Sequence, residues 1–238
     1  MSQRFDDDDV VRAQYATPDN LRARKDAYVN AEGDDPREFV FDAVAAAKPQ
    51  RVLEVGGGEG ELAQRILTEL HVELVAIDQS EGMVDIQRAK GIDAHVGDVR
   101  ELPFADEEFD VAIAAWMLYH VADLGRGLAE LARVLKPGGT LVAATNSVTH
   151  LQELRELTGQ TPPRLPISFR SENGEQALRE HFTQVQRRDA RGSTTMDDAT
   201  VRRFAASSPW LKALETMPPL SAPLKVRTRA TVFVARKA

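Results

Sequence analysis

The sequence predicts an α/β fold in which helices cover both faces of a mostly parallel β-sheet. Short apolar, β-branched runs, which are typical of buried parallel strands, alternate with longer segments whose apolar residues recur at helical spacing. The first such run, residues 51–55, passes directly into Gly56, Gly57, Gly58 and Gly60 before a helical pattern begins. This order is typical of a nucleotide-binding site, because glycine has no Cβ to obstruct a close ligand and adopts positive φ at little cost.

The remaining elements follow the same two periodicities. Strands are predicted at residues 51–55, 73–77, 93–96, 110–115, 140–145, 182–188 and 228–235. Helices are predicted at residues 17–29, 36–47 and 62–70, from Ser80 onward, and at residues 124–135, 151–157, 172–181 after a Ser171 cap, and 197–204. Residues 161–166 are expected to form a loop, and the acidic run at residues 6–9 a solvated, frayed tail.

Composition argues against several classes of function. The 238 residues carry a formal net charge of -7 and include no cysteine. The acidic balance disfavours a dedicated nucleic-acid or membrane-surface binder, and the lack of cysteine excludes disulfides and thiolate metal sites. Neither a signal-peptide pattern nor a membrane-spanning apolar run is present, so we expect a soluble, cytoplasmic protein. No metal site is expected, because the five histidines lack ligand-type spacing with carboxylates.

The composition of the glycine-rich turn indicates its ligand. A dinucleotide fingerprint, G-x-G-x-x-G, laid on Gly56 and Gly58 requires a small residue where the chain has Glu61. This mismatch disfavours an NAD(P)-dependent oxidoreductase. Glu54 and Glu59 instead place two carboxylates around the turn, without a lysine, which favours a cationic ligand over a phosphate.

Asp78 ends the second predicted strand, about 20 residues beyond the glycines. A carboxylate in this position commonly accepts hydrogen bonds from both ribose hydroxyls in nucleoside-binding α/β proteins. A compatible alternative is that Asp78 caps the helix beginning near Ser80. Ligands of open parallel sheets lie beyond the carboxyl ends of the strands, so Gly56 and Asp78 are expected at the same sheet edge.

Four separated segments carry a resemblance to a known family. They are E-V-G-G-G-E-G at residues 54–60, G-D-V at 97–99, F-D-V at 109–111 followed by H-V at 120–121, and L-A-R-V-L-K-P-G-G at 131–139. Together they resemble the class I S-adenosylmethionine (SAM)-dependent methyltransferases, in the branch of the ubiquinone/menaquinone-biosynthesis-type and small-molecule enzymes. Many relatives carry aspartate and cysteine where this chain has Glu54 and Gly57, changes that keep the geometry. The resemblance implies a Rossmann-like, seven-stranded, mostly parallel sheet with an antiparallel last strand and an N-terminal helical lid.

The resemblance also implies which residues contact SAM. Met83 would pack on the adenine ring, and Asp98 and the backbone of Val99 would hydrogen-bond its edge. The carbonyl near Ala114 would bind the methionine ammonium. Tyr15 and Arg22, in the N-terminal lid, would reach the methionine carboxylate of SAM. The whole predicted cofactor-binding set is Glu54, Gly56, Gly57, Gly58, Gly60, Asp78, Gln79, Met83, Asp98, Val99, Ala114, Tyr15 and Arg22.

Methyl transfer is an in-line displacement at a carbon activated by the positive sulfur, so the main task is to align acceptor and donor and exclude water. His120, just beyond the fourth predicted strand, is the candidate general base, and Tyr119 would position the acceptor. The alternative role for His120 is that of a packed or capping residue in an apolar loop. S-adenosylhomocysteine (SAH) would be the product.

The expected organisation is a tail and lid at residues 1–35 and a SAM-binding methyltransferase domain at residues 36–238. An insertion at about residues 190–225 would cover the acceptor pocket. The expected function is methyl transfer to oxygen, nitrogen or carbon of a small-molecule acceptor. A non-catalytic SAM-binding regulator is the alternative. The sequence leaves the acceptor and the oligomeric state open.

Overall fold

One β-sheet organises the part of the chain that the computed structural model describes, which is residues 6–157, 168–208, 211, 214 and 216–238. Its strands are β1 (Glu32–Gly33), β2 (Arg51–Val55), β3 (Glu73–Asp78), β4 (Asp93–Val96), β5 (Phe109–Ala115), β6 (Leu135–Asn146), β7 (Gln184–Met196) and β8 (Leu224–Arg236). The helices are α1 (Asp8–Tyr15), α2 (Asp19–Asp26), α3 (Pro36–Ala47), α4 (Glu61–Leu70), α5 (Glu81–Ala89), α6 (Leu124–Val134), α7 (Gln152–Glu156), α8 (Gly174–Arg179) and α9 (Asp198–Ala206). The predicted loop at residues 161–166 lies outside the described residues.

The strand order is β1-β7-β8-β6-β5-β2-β3-β4. Strands β2 to β6 pair in parallel, whereas β8 is antiparallel to both β6 and β7. This confirms the predicted Rossmann-like fold, with one addition. The two-residue strand β1 pairs with β7, and so short a strand has no periodicity from which it could be predicted.

The β7–β8 hairpin is longer than predicted. The two strands stay paired from Gln184 and Arg236 out to Met196 and Leu224. Residues 190–196, which we assigned to the insertion, are therefore strand residues. The far part of the hairpin packs on α9, with Met196, Val201 and Val226 buried in a small apolar cluster of its own.

Neighbouring residues of the central strand β2 serve opposite faces of the sheet. Val52 packs on one side with Val40 and Ile66 from α3 and α4, whereas Leu53 packs on the other with Leu131 from α6. Both strand residues are fully buried. Helices on both faces explain why the strand is apolar on both faces.

The N-terminal segment is ordered where we expected a frayed tail. Asp7 caps α1 by accepting hydrogen bonds from the backbone N–H groups of Asp9 and Val10, and Asp8 forms an ion pair with Arg100 at 2.9 Å. The prediction of a solvated tail was wrong because the partner of Asp8 lies 92 residues away in sequence.

The predicted Ser171 cap was also wrong. The N-cap of α8 is Asn173, and the Ser171 hydroxyl is buried, accepting a hydrogen bond of 2.8 Å from Thr231 of β8. No helix in the described parts of the chain is long and apolar enough to cross a bilayer.

We expect the Gly192→Ala substitution to detach β1 from the sheet. A Cβ at Gly192 would lie 2.3 Å from the Glu32 carbonyl oxygen, so β1 must move away at a cost of about 1–3 kcal/mol. Limited trypsin digestion should then cut faster at Lys25 and Arg37, which flank β1. The control is Gly125→Ala, at an exposed position of α6, where the nearest atom to the added Cβ would be 3.7 Å away. Equal digestion of the two variants would contradict the tethering role of β1.

Candidate functional site

A cavity of about 1110 Å³ opens at the carboxyl edge of the sheet, beneath α1 and α2. Its wall combines the turn after β2, the end of β3, the segment after β5, and residues from β7 and β8. Predicted site residues that line it are Tyr15, Glu54, Gly56, Gly57, Gly58, Asp78, Gln79, Val99, Tyr119 and His120. The structure therefore brings most of the predicted site residues together around one space.

The glycine bend is packed from both sides. Gly56 and Gly58 have φ values of 67° and 58°, in the left-handed region that favours glycine. A Cβ at Gly57 would lie 2.3 Å from the Glu54 carboxylate, and one at Gly58 would lie 2.8 Å from Leu21 of α2. Only a backbone without side chains can pass between Glu54 and the roof of the cavity.

Gly60 has a different task from the glycines that line the cavity. A Cβ there would lie 2.6 Å from Ile92 and 3.0 Å from Gln87, behind the bend. The buried amide of Gln87 donates a hydrogen bond of 2.7 Å to the Gly58 carbonyl. Gly60 therefore lets α4 pack against the residues that support the bend.

Two carboxyl groups share the floor of the cavity. Glu54 is buried, and burial, together with the charge of Asp78, raises its pKa to about 7. Burial also raises the pKa of Asp78, although hydrogen bonds from the N–H groups of Ser80 and Gly58 oppose the rise. These two carboxyls, one buried and one partly buried, would be stabilised in their ionised form by a cationic ligand.

Asp78 is not the cap of α5. Ser80 is the N-cap, and its hydroxyl accepts a hydrogen bond from the N–H of Met83 at 3.3 Å. Asp78 instead accepts a hydrogen bond of 2.9 Å from the Ser80 N–H, which places its carboxyl at the mouth of the turn. Of the two roles that the sequence suggested for Asp78, the capping role was wrong.

Glu59 does not contribute to a cationic site, contrary to our expectation. Its carboxylate pairs with Arg22 at 2.7 Å and with Lys25 at 3.3 Å, both from α2. Burial disfavours its ionisation, but the hydrogen bonds from these two cations outweigh that effect and lower the pKa. Arg22 is consequently directed at Glu59 and lies outside the wall of the cavity.

Asp98 also has a protein partner. The Arg100 guanidinium binds both of its carboxylate oxygens, at 3.0 and 2.6 Å, and so keeps its pKa low although burial opposes this. Asp98 lies outside the wall of the cavity, and so do Met83 and Ala114, which are both buried in the core. Only Val99 of the predicted adenine-binding group reaches the cavity.

Tyr15 and His120 form a hydrogen-bonded pair across the cavity. The Tyr15 hydroxyl lies 3.0 Å from His120 Nε2, and the rings meet edge to face. Arg24 donates a hydrogen bond of 2.9 Å to the same hydroxyl oxygen. Because Arg24 can only donate, the Tyr15 proton is available to His120 Nε2. Tyr15 is thus hydrogen-bonded to the candidate base His120, 105 positions away in sequence.

Several further polar residues of the wall were not predicted from the sequence, and three of them bear on the site. They are Arg24, Tyr28 and His150. The Tyr28 hydroxyl lies 2.7 Å from His150 Nε2, and burial, reinforced by Arg155 and Arg229, lowers the pKa of His150 to about 4. No motif marks them, since each is a single polar residue in a segment without a recognisable sequence pattern.

One backbone signal does mark the site. Trp116, directly after β5, has a φ of 55°, which is rare for a bulky residue. Its backbone N–H is held by the Ala144 carbonyl at 2.8 Å and its indole N–H by Asn146 at 3.1 Å. These bonds turn the chain so that the next residues, among them Tyr119 and His120, line the cavity.

The comparisons with known proteins agree with this arrangement. A family model described as a methyltransferase domain matches residues 53–143, which include β2 to β5 and most of β6. An uncharacterized methyltransferase of Mycobacterium tuberculosis is 30% identical over 209 residues, covering 85% of this chain and 79% of that protein. A demethylmenaquinone methyltransferase of Renibacterium salmoninarum is 41% identical over 110 residues, and the chain spans 46% of its length.

Solved structures extend the similarity of the fold to nearly the whole chain. A phosphoethanolamine N-methyltransferase from Haemonchus contortus, in complex with phosphomonomethylethanolamine and SAH, has a TM-score of 0.64 and 18% identity, covering 99% of this chain and 61% of that chain. The likeness in structure shows the fold, and the mycobacterial relative shows the family. The chain therefore belongs to the class I SAM-dependent methyltransferases.

Proposed function

We propose that this protein transfers a methyl group from SAM to a small-molecule acceptor within the cavity. The observation that carries the proposal is the placement of two carboxyls, the buried Glu54 and the partly buried Asp78, in the same space as the Tyr15–His120 pair. A site for a cationic nucleoside and a site for proton transfer are thereby adjacent. Residues 1–35 would act as the lid of a catalytic domain formed by residues 36–238.

The residues present fit SAM. Its sulfonium and ammonium charges would offset the ionisation cost of Glu54 and Asp78. Gln79 lines the cavity, and its buried Oε1 has no hydrogen-bond partner in the described structure, so it can accept from a ligand N–H. We assign the cofactor to the lining members of the predicted set other than Tyr15, which contacts His120, namely Glu54, Gly56, Gly57, Gly58, Asp78, Gln79 and Val99. When bound, SAM supplies a methyl carbon activated by its neighbouring sulfonium.

His120 would accept the proton that the acceptor molecule loses, and Tyr15 would relay it. With Arg24 donating to the Tyr15 oxygen, His120 Nε2 acts as a proton acceptor in its neutral form. A proton from the acceptor could pass to His120 Nε2 directly, or through the Tyr15 hydroxyl. The ring of Tyr119 lies 4.4 Å from that of His120, and burial raises the pKa of its hydroxyl, so it remains protonated and able to donate a positioning hydrogen bond.

A small acceptor is supported by the closure of the cavity and by the relatives. Helices α1 and α2 cover the cavity, which leaves little room for a macromolecule. The relatives named demethylmenaquinone methyltransferase modify, by their names, a small molecule, although the chain spans less than half of their length. A non-catalytic SAM-binding protein is the rival, and it would show no transfer to any acceptor.

The first test of this function is binding of the cofactor. Calorimetry should give saturable heat with SAM and with SAH, and none with NADH, because the bend offers two carboxyls where a pyrophosphate would need N–H groups or cations. The Gly58→Val variant is the matched perturbation, since its side chain would occupy the space between the bend and Leu21. Heat with NADH alone would refute the proposal.

The affinity for SAM should rise with pH through about 7. Glu54 is largely protonated below that pH, so a cationic ligand gains its attraction only as the carboxyl ionises, by up to about tenfold per pH unit. The free protein should lose stability between pH 4.5 and about 7, because the unfolded carboxyl ionises first. Glu54→Gln should flatten both profiles, unlike Glu101→Gln on the surface. Identical profiles for wild type and Glu54→Gln would exclude Glu54 from the site.

The His120→Ala substitution should lower turnover by about 10²-fold or more while leaving SAM affinity nearly unchanged. The assay follows transfer from methyl-labelled SAM to an acceptor found by screening a compound collection. His71→Gln serves as the control, since His71 is exposed at the end of α4. Equal turnover of the wild type and the His120→Ala variant would remove His120 from the mechanism.

A further inference from the structure

The cavity extends beyond the cofactor-binding residues into a chamber with aromatic hydroxyls in its wall. The chain has three tyrosines, and all three, Tyr15, Tyr28 and Tyr119, line the cavity. Tyr15 is engaged with His120. Tyr28 lies with His150 near Thr228 of β8, in the part of the wall formed by the β7–β8 hairpin. The proposed methyl transfer assigns no role to this second pair.

The backbone determines which nitrogen of His150 carries its proton. The N–H of Arg229 donates a hydrogen bond of 3.0 Å to His150 Nδ1, so Nδ1 must be the unprotonated nitrogen. The neutral ring therefore carries its proton on Nε2 and donates it to the Tyr28 oxygen, 2.7 Å away. Burial, reinforced by the charge of Arg155, lowers the pKa of His150 to about 4, so the ring is neutral at neutral pH.

This arrangement leaves the Tyr28 proton for a ligand. The Tyr28 oxygen accepts from His150, and none of the described residues provides a second oxygen or nitrogen to which the hydroxyl could donate. Burial raises the pKa of Tyr28, so the hydroxyl keeps its proton at neutral pH. The pair is held firmly, because Thr194 hydrogen-bonds the carbonyl of Ala27 beside Tyr28 at 2.8 Å.

The charges around the pair disfavour a cationic amine. Arg155 and Arg229 act on His150, and Arg24 acts on Tyr28, each as a positive charge. A protonated amine at the Tyr28 hydroxyl would meet Arg24, which lines the cavity, and a hydroxyl oxygen already used by His150. An uncharged oxygen would instead accept the Tyr28 proton.

We propose that the Tyr28–His150 pair selects the acceptor by donating one hydrogen bond, from the Tyr28 hydroxyl, to a hydroxyl or carbonyl oxygen of an uncharged molecule. This inference rests on the proposed methyltransferase function. It defines the substrate class as uncharged and oxygen-bearing, and it makes Tyr28 a specificity-determining residue, with His150 orienting its hydroxyl.

The test uses equilibrium binding of two probes of similar shape, 2-naphthol and protonated 2-(aminomethyl)naphthalene, to the full-length protein saturated with SAH. The wild type should bind 2-naphthol at least about tenfold more tightly. Tyr28→Phe should weaken 2-naphthol binding by about 5–10-fold, the effect of one lost hydrogen bond, and leave the amine unchanged. Thr68→Val, which removes an exposed hydroxyl from α4, should change neither.

Three results would overturn the inference: preference for the amine, no measurable 2-naphthol binding, or equal binding by wild type and Tyr28→Phe. Heat of SAH binding, measured first, separates this failure from failure of the proposed function. Nitrogen NMR of the wild type gives an independent check that requires no variant. His150 should show the Nε2-protonated neutral form between pH 5 and 8, and an Nδ1-protonated form would refute the assignment of donor and acceptor.

Discussion

The contact between the Glu54 carboxyl and the backbone of Gly57 is the constraint on which the rest of the site depends. A carboxyl is buried directly beneath the bend, within the distance at which a Cβ would collide with it. The bend must therefore be glycine at that point, and burial raises the pKa of the Glu54 carboxyl to about 7, so that it ionises more readily when a positive charge approaches. Packing and electrostatics are thus linked through the Glu54 side chain. Burial likewise raises the pKa of Asp78, at the end of the neighbouring strand β3.

The lid is held by polar contacts that are individually weak. Asp8 pairs with Arg100, and Arg22 and Lys25 pair with Glu59, all with at least one partly exposed partner. Pairs of this kind contribute about 0–1 kcal/mol each, so these ion pairs by themselves oppose separation of α1 and α2 from the sheet edge only weakly. The ordered lid and an exchangeable ligand are therefore compatible. Tyr15 is the last residue of α1, so its hydrogen bond with His120, which forms the proton-transfer pair, requires α1 to be packed over the cavity.

Local patterns predicted the frame of the molecule well and the lid less well. The bounds of β2, β4 and α3 agree with the predicted ranges, because buried strands and a capped helix are recorded in a few consecutive residues. Residues 6–9 were misread as a solvated tail, and the protein partners of Glu59 and Asp98 were not foreseen. Asp8 and Glu59 pair with cations 92 and 34–37 residues away in sequence, whereas Asp98 pairs with Arg100 two residues away, and hydrophobic periodicity contains no information about such partners.

The amino-acid sequence by itself determined the alternation of strands and helices, the glycine bend and the acidic residues that follow the strands, because each depends on neighbours within a few positions. Only the tertiary structure decided which of these carboxyls line the cavity and which are neutralised by the protein's own cations. It also decided that Tyr28 meets His150, and Tyr15 meets His120, across more than a hundred residues. Hydrogen bonds between distant segments depend on how the lid and hairpin pack on the sheet, and that packing is a property of the whole chain.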